Sequence, residues 1–156
     1  MKFIRNLLVS VFFIGYFPIA PGTAASAFAA IIYCFFIPQN TNDFLLMAII
    51  IVVSLIFIPI IKSAEKDLGK DSPKIVIDEI IGYFVAILFL PYSLMIAIYA
   101  FVLFRVFDVA KPPPINRLQD LPHGLGVISD DVLAGIYANI ILQILLRIFP
   151  NFFIVV

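Results

Sequence analysis

Residues 104–135 read FRVFDVAKPPPINRLQDLPHGLGVISDDVLAG, and the way this stretch joins two apolar runs decides the fold. Arg105, Asp108, Lys111, Asp130 and Asp131 stand where strongly apolar sequence ends or begins again. Charges so placed are costly unless they pair, bind an ion or face water. Apolar side chains would fill the same volume more cheaply, so a bare scaffold has no need of them. The run Pro112-Pro113-Pro114 forces the preceding helix to stop. The stretch therefore has the makings of a site at the end of a greasy helix.

The rest of the chain supplies that greasy environment. Of its 156 residues, 63% are hydrophobic and only 13% charged, with a mean hydropathy of +1.15. Soluble domains carry roughly 45–50% apolar and about 25% charged residues. An integral membrane protein forming a single domain over 1–156 is the reading that fits. Ten basic residues balance ten acidic ones, so no net field favours nucleic acid. The lone Cys34 lies in the apolar run AAIIYCFFI and cannot form an internal disulfide; a buried structural thiol is expected. The N-terminus resembles a signal peptide, with Lys2 and Arg5 ahead of an apolar core. It runs into Pro18-Ile19-Ala20-Pro21-Gly22 rather than a small-residue cleavage site, so it is expected to be retained.

In order, residues 7–17 are apolar but too few for a span, which needs about 20 residues. They predict a short interfacial helix. Pro18 and Pro21-Gly22 break it, and Thr23 is placed to cap the next helix, whose Ala-rich stretch 24–37 allows close packing in lipid. Residues 44–61 form another span, interrupted only by Ser54 and Pro59. The segment KSAEKDLGKDSPK at 62–74 reads as a solvated loop touching anionic lipid, with Asp71 as an ordinary surface charge. Residues 75–90, 94–107 and 132–149 supply three more apolar segments. No ten-residue alternation of a barrel strand recurs. The expectation is an all-α membrane bundle of about five spans plus a short N-terminal helix.

Lys and Arg placement orients the bundle. With a cytoplasmic N-terminus, Lys2, Arg5, Lys62, Lys66, Lys70, Lys74, Arg105, Lys111 and Arg117 lie inside and only Arg147 outside. The same topology brings Thr23, the Asp78-Glu79 pair, the Arg105–Lys111 segment and Asp130-Asp131 to one membrane face at similar depth. Asp78, Glu79, Asp108, Asp130 and Asp131 could then gather at one level. So many carboxylates cannot ionise together without cations, and an all-oxygen set favours a hard ion, Mg²⁺ above all. Arg105 and Lys111 can receive a phosphate, one as a fork and one as a point charge. The turn at Ala20–Thr23, with Ser26, offers hydroxyls and free N–H groups at a helix N-terminus.

Plainer roles exist for several of these residues. Asp130 and Asp131 after Ser129 suit a helix cap. Arg105–Asp108 and Asp108–Lys111 suit structural ion pairs. His123, in a loop rich in Pro and Gly, suits a surface position. Asp78-Glu79, two adjacent carboxylates inside an apolar run, has no such cheap explanation.

Four pieces, PIAPGTAAS at 18–26, VIDEIIG at 76–82, FRVFDVAKPPPI at 104–115 and GLGVISDDVLAG at 124–135, resemble the phosphatidylglycerophosphatase A family in type and order. Two departures stand out: Ala25 replaces the family's Gly before the first-motif serine, and an acidic residue usually Glu has Asp120 as its nearest counterpart. The resemblance implies a Mg²⁺-dependent phosphomonoesterase of the bacterial inner membrane, acting on its cytoplasmic face. Its substrate would be phosphatidylglycerophosphate and its product phosphatidylglycerol, the last step in that lipid's synthesis. Asp78, Glu79, Asp108, Asp130 and Asp131 are the expected catalytic and metal residues, and Thr23, Ser26, Arg105 and Lys111 the phosphate contacts. Water attack and an aspartyl-phosphate on Asp108 are both open at this point. A small ion-coupled transporter is the alternative class, but its acids would be strung along the bilayer depth rather than gathered at one face.

Overall fold

The computed structural model describes residues 2–122 and 124–150, so His123 and the terminal residues lie outside the description. Seven α-helices and no strand occur among the described residues: α1 (Lys2–Val9), α2 (Pro21–Phe36), α3 (Asp43–Leu68), α4 (Ile77–Ile87), α5 (Leu94–Ala110), α6 (Ile115–Leu118) and α7 (Gly124–Ile148). The N-terminal helix is shorter and earlier than the apolar run at 7–17 suggested. It ends at Val9, and Val11, Phe12 and Phe13 all take left-handed backbone before a 3-10 turn at Ile14–Tyr16.

Local chemistry explains the other boundaries. Thr23 does not cap α2: the helix starts at Pro21, behind Ala20 in the left-handed region. Proline suits the first helical position because its fixed φ is already helical and its missing N–H has no partner there. Asn42 caps α3, its side chain accepting from the backbone N–H groups of Phe44 (2.9 Å) and Leu45 (3.3 Å). The helix absorbs Pro59 and ends at Gly69, whose φ of 96° suits glycine. Residues 62–68, read from sequence as loop, are thus the last turns of α3. Asp67 secures them by ion pairs to Lys2 (2.8 Å) and Arg5 (2.5 Å) on α1.

Among the described residues, only α3 and α7 are long and apolar enough to cross a bilayer by themselves. The helices α2 and α5 have 16 and 17 residues, and α4 has 11. At 1.5 Å per residue, α4 covers about 16 Å, half of a hydrocarbon core. It escapes lipid by being central, packed on α2, α3, α5 and α7. Eight of its residues, from Ile77 to Ile87, are buried. Its C-terminal carbonyls, which lipid could not satisfy, receive the Asn139 side-chain amide: 3.0 Å to Ala86 and 2.7 Å to Leu88.

The outside of the bundle is apolar. Phe44, Leu45, Ile49, Ile51, Val52, Leu55 and Ile56 of α3 are all exposed. A face this large and this greasy is unfavourable in water and neutral in a bilayer. Membrane association follows from that surface as well as from helix length.

Candidate active site

The charged residues meet where α2, α4 and α7 begin and α5 ends. Asp78 and Glu79 lie in the first turn of α4, and Asp130 and Asp131 in the second turn of α7. Arg105 and Asp108 ride the last turns of α5, and Lys111 leaves that helix in left-handed conformation at φ 42°. All the segments expected to converge do so.

The tertiary structure then sorts the five carboxylates into two kinds. Asp78, Glu79 and Asp131 each offer an oxygen within 4.8 Å of the others. Asp78 Oδ1, Glu79 Oε2 and Asp131 Oδ2 are buried with no hydrogen-bond partner. Asp108 and Asp130 are instead held by cations: Arg105 Nη1 donates to Asp108 Oδ2 at 2.5 Å, and Lys111 Nζ to Asp130 Oδ2 at 2.6 Å. Asp130 also accepts from the backbone N–H of Asp131 (3.1 Å), which orients the Asp130 carboxylate. Thus the structural ion-pair role fits Arg105–Asp108, whereas Lys111 pairs across to α7 rather than with Asp108.

Three carboxylates this close, each with a buried unpartnered oxygen, repel one another when ionised, and a positive charge among them removes the penalty. The donors are all oxygen, which fits a hard divalent cation. The cationic side of the site lies next to them. Arg105 keeps its Nε buried without a partner. Lys111 also donates to Gln119 at 3.3 Å. Burial alone would lower the Lys111 pKa, but the hydrogen bond and charge of Asp130 outweigh it, and the net direction is upward. The ammonium stays charged. Asp71 is one of the charges that raise it.

The two hydroxyls expected to touch phosphate are placed differently. Thr23 lines the same cleft as Arg105. Ser26 is fully buried and donates to the Gly22 carbonyl at 2.8 Å, so its proton is committed to the helix. A profile described as phosphatidylglycerophosphatase A matches residues 7–146. The chain belongs to the phosphatidylglycerophosphatase A family. It is 34% identical over 137 residues to the Escherichia coli K12 phosphatidylglycerophosphatase A, covering 84% of this chain and 77% of that one. With the Haemophilus influenzae phosphatidylglycerophosphatase A it shares 44% identity over 78 residues, 48% of each. A Bacteroides thetaiotaomicron protein provisionally named phosphatidylinositol-3-phosphatase is 33% identical over 151 residues, covering 92% of this chain and 94% of its own. No solved structure matches.

As a phosphatidylglycerophosphatase A family member the chain is a phosphatase, and nothing in its fold or relatives supports the transporter alternative. Sequence reasoning missed the glycines that set the spacing of this phosphatase site. A Cβ on Gly22 would collide with a Glu79 carboxylate oxygen and lie 3.2 Å from Arg105 Nη1. A Cβ on Gly82 would meet the Phe104 ring and, at 2.8 Å, the Asp131 carbonyl; one on Gly135 would strike the Gly82 carbonyl. These glycines stand inside the PGT, DEIIG and DDVLAG motifs. Their type was visible, but the contact that requires it was not.

Proposed function

We propose that this phosphatase hydrolyses the terminal phosphomonoester of phosphatidylglycerophosphate, giving phosphatidylglycerol and phosphate for phospholipid synthesis, with Mg²⁺ held by Asp78, Glu79 and Asp131. The observation that carries this reading is the triad Asp78, Glu79 and Asp131, which bring carboxylate oxygens within 4.8 Å of one another and each keep a buried oxygen without a hydrogen-bond partner, set beside an arginine and a lysine. A divalent cation there supplies Lewis acidity and charge neutralisation for the phosphoryl oxygens. Arg105 and Lys111 bind and orient the phosphate and offset the charge that develops on it. Asp108 and Asp130 are the positioning partners that hold those two cations in place. Water adds to phosphorus in line with the glycerol ester oxygen and loses its proton to a carboxylate. The ester oxygen departs and is protonated. Asp108 is committed to Arg105, which favours water over an aspartyl-phosphate as the attacking group.

Phosphate release from phosphatidylglycerophosphate is expected to fall to background after exhaustive chelation and to return on adding Mg²⁺. Undiminished release in chelator overturns the metal assignment. The Bacteroides relative's name makes phosphatidylinositol 3-phosphate the competitor to assay in parallel. Faster turnover of that lipid would move the headgroup and leave the site chemistry in place.

The orientation follows from the basic residues. In this reading α2, α3, α5 and α7 traverse the bilayer with the short α4 enclosed among them and the N-terminus in the cytoplasm, so the site would lie at the cytoplasmic face of a bacterial inner membrane, where the headgroup is. Cysteines introduced as Lys70→Cys and Asn116→Cys, both at exposed positions, should label from the cytoplasmic side of sealed vesicles. Labelling of either from the other side refutes the topology.

A further inference from the structure

A lipid phosphatase must hold an acyl chain as well as a headgroup, and one seam on this bundle leads away from the site. A cleft of about 520 Å³ follows α5 from Phe101 past Arg105 to Ala110 and reaches Thr23 of α2. Phe101 also borders a second cleft of about 320 Å³, which continues between the same helices to Cys34, Phe35 and Leu94. Its floor is made by Ala27, Ala30 and Ala97, side chains too small to close the gap between the helices. From Thr23 to Phe35 the seam runs about 18 Å at 1.5 Å per helical residue, close to the ~15 Å hydrocarbon depth of one leaflet, half of a ~30 Å core.

Charge separates this seam from its competitors. Its one charged residue is Arg105, which has a buried, unpartnered Nε and belongs to the phosphate side of the site. The groove between α3 and α4 is bordered by apolar residues alone. The groove beside α1 has Lys2 and Arg5, but both are occupied by Asp67.

We propose that the α2–α5 seam holds one acyl chain of the lipid substrate, with the headgroup end at Arg105 and the methyl end toward Cys34 and Leu94. The proposal rests on the lipid-phosphatase reading above. Lipid tails are as apolar as the seam, so little affinity is gained by moving a chain into it. Its effect is orientation: the chain aligns the phosphate with Arg105 and the carboxylates, and misplacement by about 1 Å can cost on the order of 10²-fold in rate.

The test compares phosphatidylglycerophosphate carrying sixteen-carbon chains with the same headgroup on two-carbon chains, which leave most of the seam empty. Ala30→Phe fills the floor from a half-buried position. It should lower kcat/KM for the long-chain lipid on the order of 10-fold and leave the short-chain lipid within about 2-fold of wild type. Equal losses on both, or none on either, overturn the proposal. A second measurement uses wild-type protein in chelator with sixteen-carbon phosphatidylglycerophosphate bearing a diazirine near the chain end. Labelling should concentrate on 30–35 and 94–98 and exceed that by a phosphatidylcholine probe. Equal labelling by both probes marks ordinary boundary lipid and overturns the seam assignment. If wild-type protein hydrolyses neither chain length, the functional reading fails, while the labelling still decides what the seam binds.

Discussion

Asp78→Asn and Asp131→Asn are each expected to lower turnover of phosphatidylglycerophosphate by about 10²-fold or more, the usual loss when a pre-organised electrostatic group is removed. Asparagine keeps the shape of aspartate and removes its charge. Both side chains are almost fully buried, at 8% and 3% exposure, so no solvent ion can stand in for them. Stability should move the other way. With no cation bound, three mutually close carboxylates repel, and deleting one charge relieves that repulsion. The Tm of the chelated variants is therefore expected at or above that of the chelated wild type. Mg²⁺ should raise the wild-type Tm by binding only the folded state, and raise the variants' Tm less. Asp108→Asn and Asp130→Asn should also lose turnover while keeping most of the Mg²⁺-dependent Tm rise, because they lie outside the triad and act through Arg105 and Lys111. Asp43→Asn, at the start of α3, is the control and should stay within a factor of a few of wild type. Near-full turnover of Asp78→Asn or Asp131→Asn at saturating Mg²⁺ would remove the triad from the site.

Gly135→Ala should cost turnover on a similar scale by adding one methyl group away from the charges. The new Cβ would run into the Gly82 carbonyl and stand 3.0 Å from the Val85 Cβ. Both obstacles belong to the rigid central helix, so α4 and α7 must separate. Overpacking of this kind costs about 1–3 kcal/mol, and the better helix propensity of alanine returns up to about 1 kcal/mol. The net loss of stability is small enough for the protein to remain folded. Activity is more sensitive, because α4 carries Asp78 and Glu79 while α7 carries Asp131. A shift of about 1 Å between them opens the triad and can cost about 10²-fold in rate. Ile136→Leu, at the exposed neighbouring position, should be silent in both assays. Circular dichroism and Tm measured beside turnover separate the outcomes: wild-type turnover in a folded Gly135→Ala protein would show that the α4–α7 spacing does not control the site.

Much of this architecture was legible in the chain. Apolar run lengths gave the helical class, but the caps of α3 at Asn42 and Gly69 went unread. Prolines gave the break before α2, although Pro21 rather than Thr23 opens that helix. The extension of α3 through 62–68 was hidden because charged residues read as loop. Those residues are good helix formers once Asp67 has Lys2 and Arg5 to pair with, and both partners lie more than sixty positions away in sequence.

The candidate site divides along the same line. Sequence alone determined that Asp78, Glu79, Arg105, Asp108, Lys111, Asp130 and Asp131 belong to one end of the bundle. Alternating helix direction fixes which end of each segment shares a face, and that needs no knowledge of packing. Only the tertiary structure decided which carboxylates are spent on cations and which are left free. Pairing depends on distances of a few ångströms between helices, and these are set where Gly22, Gly82 and Gly135 let backbones approach. A carboxylate at a given sequence position is compatible with either fate. The neighbour that folding brings within about 3 Å of it makes the choice.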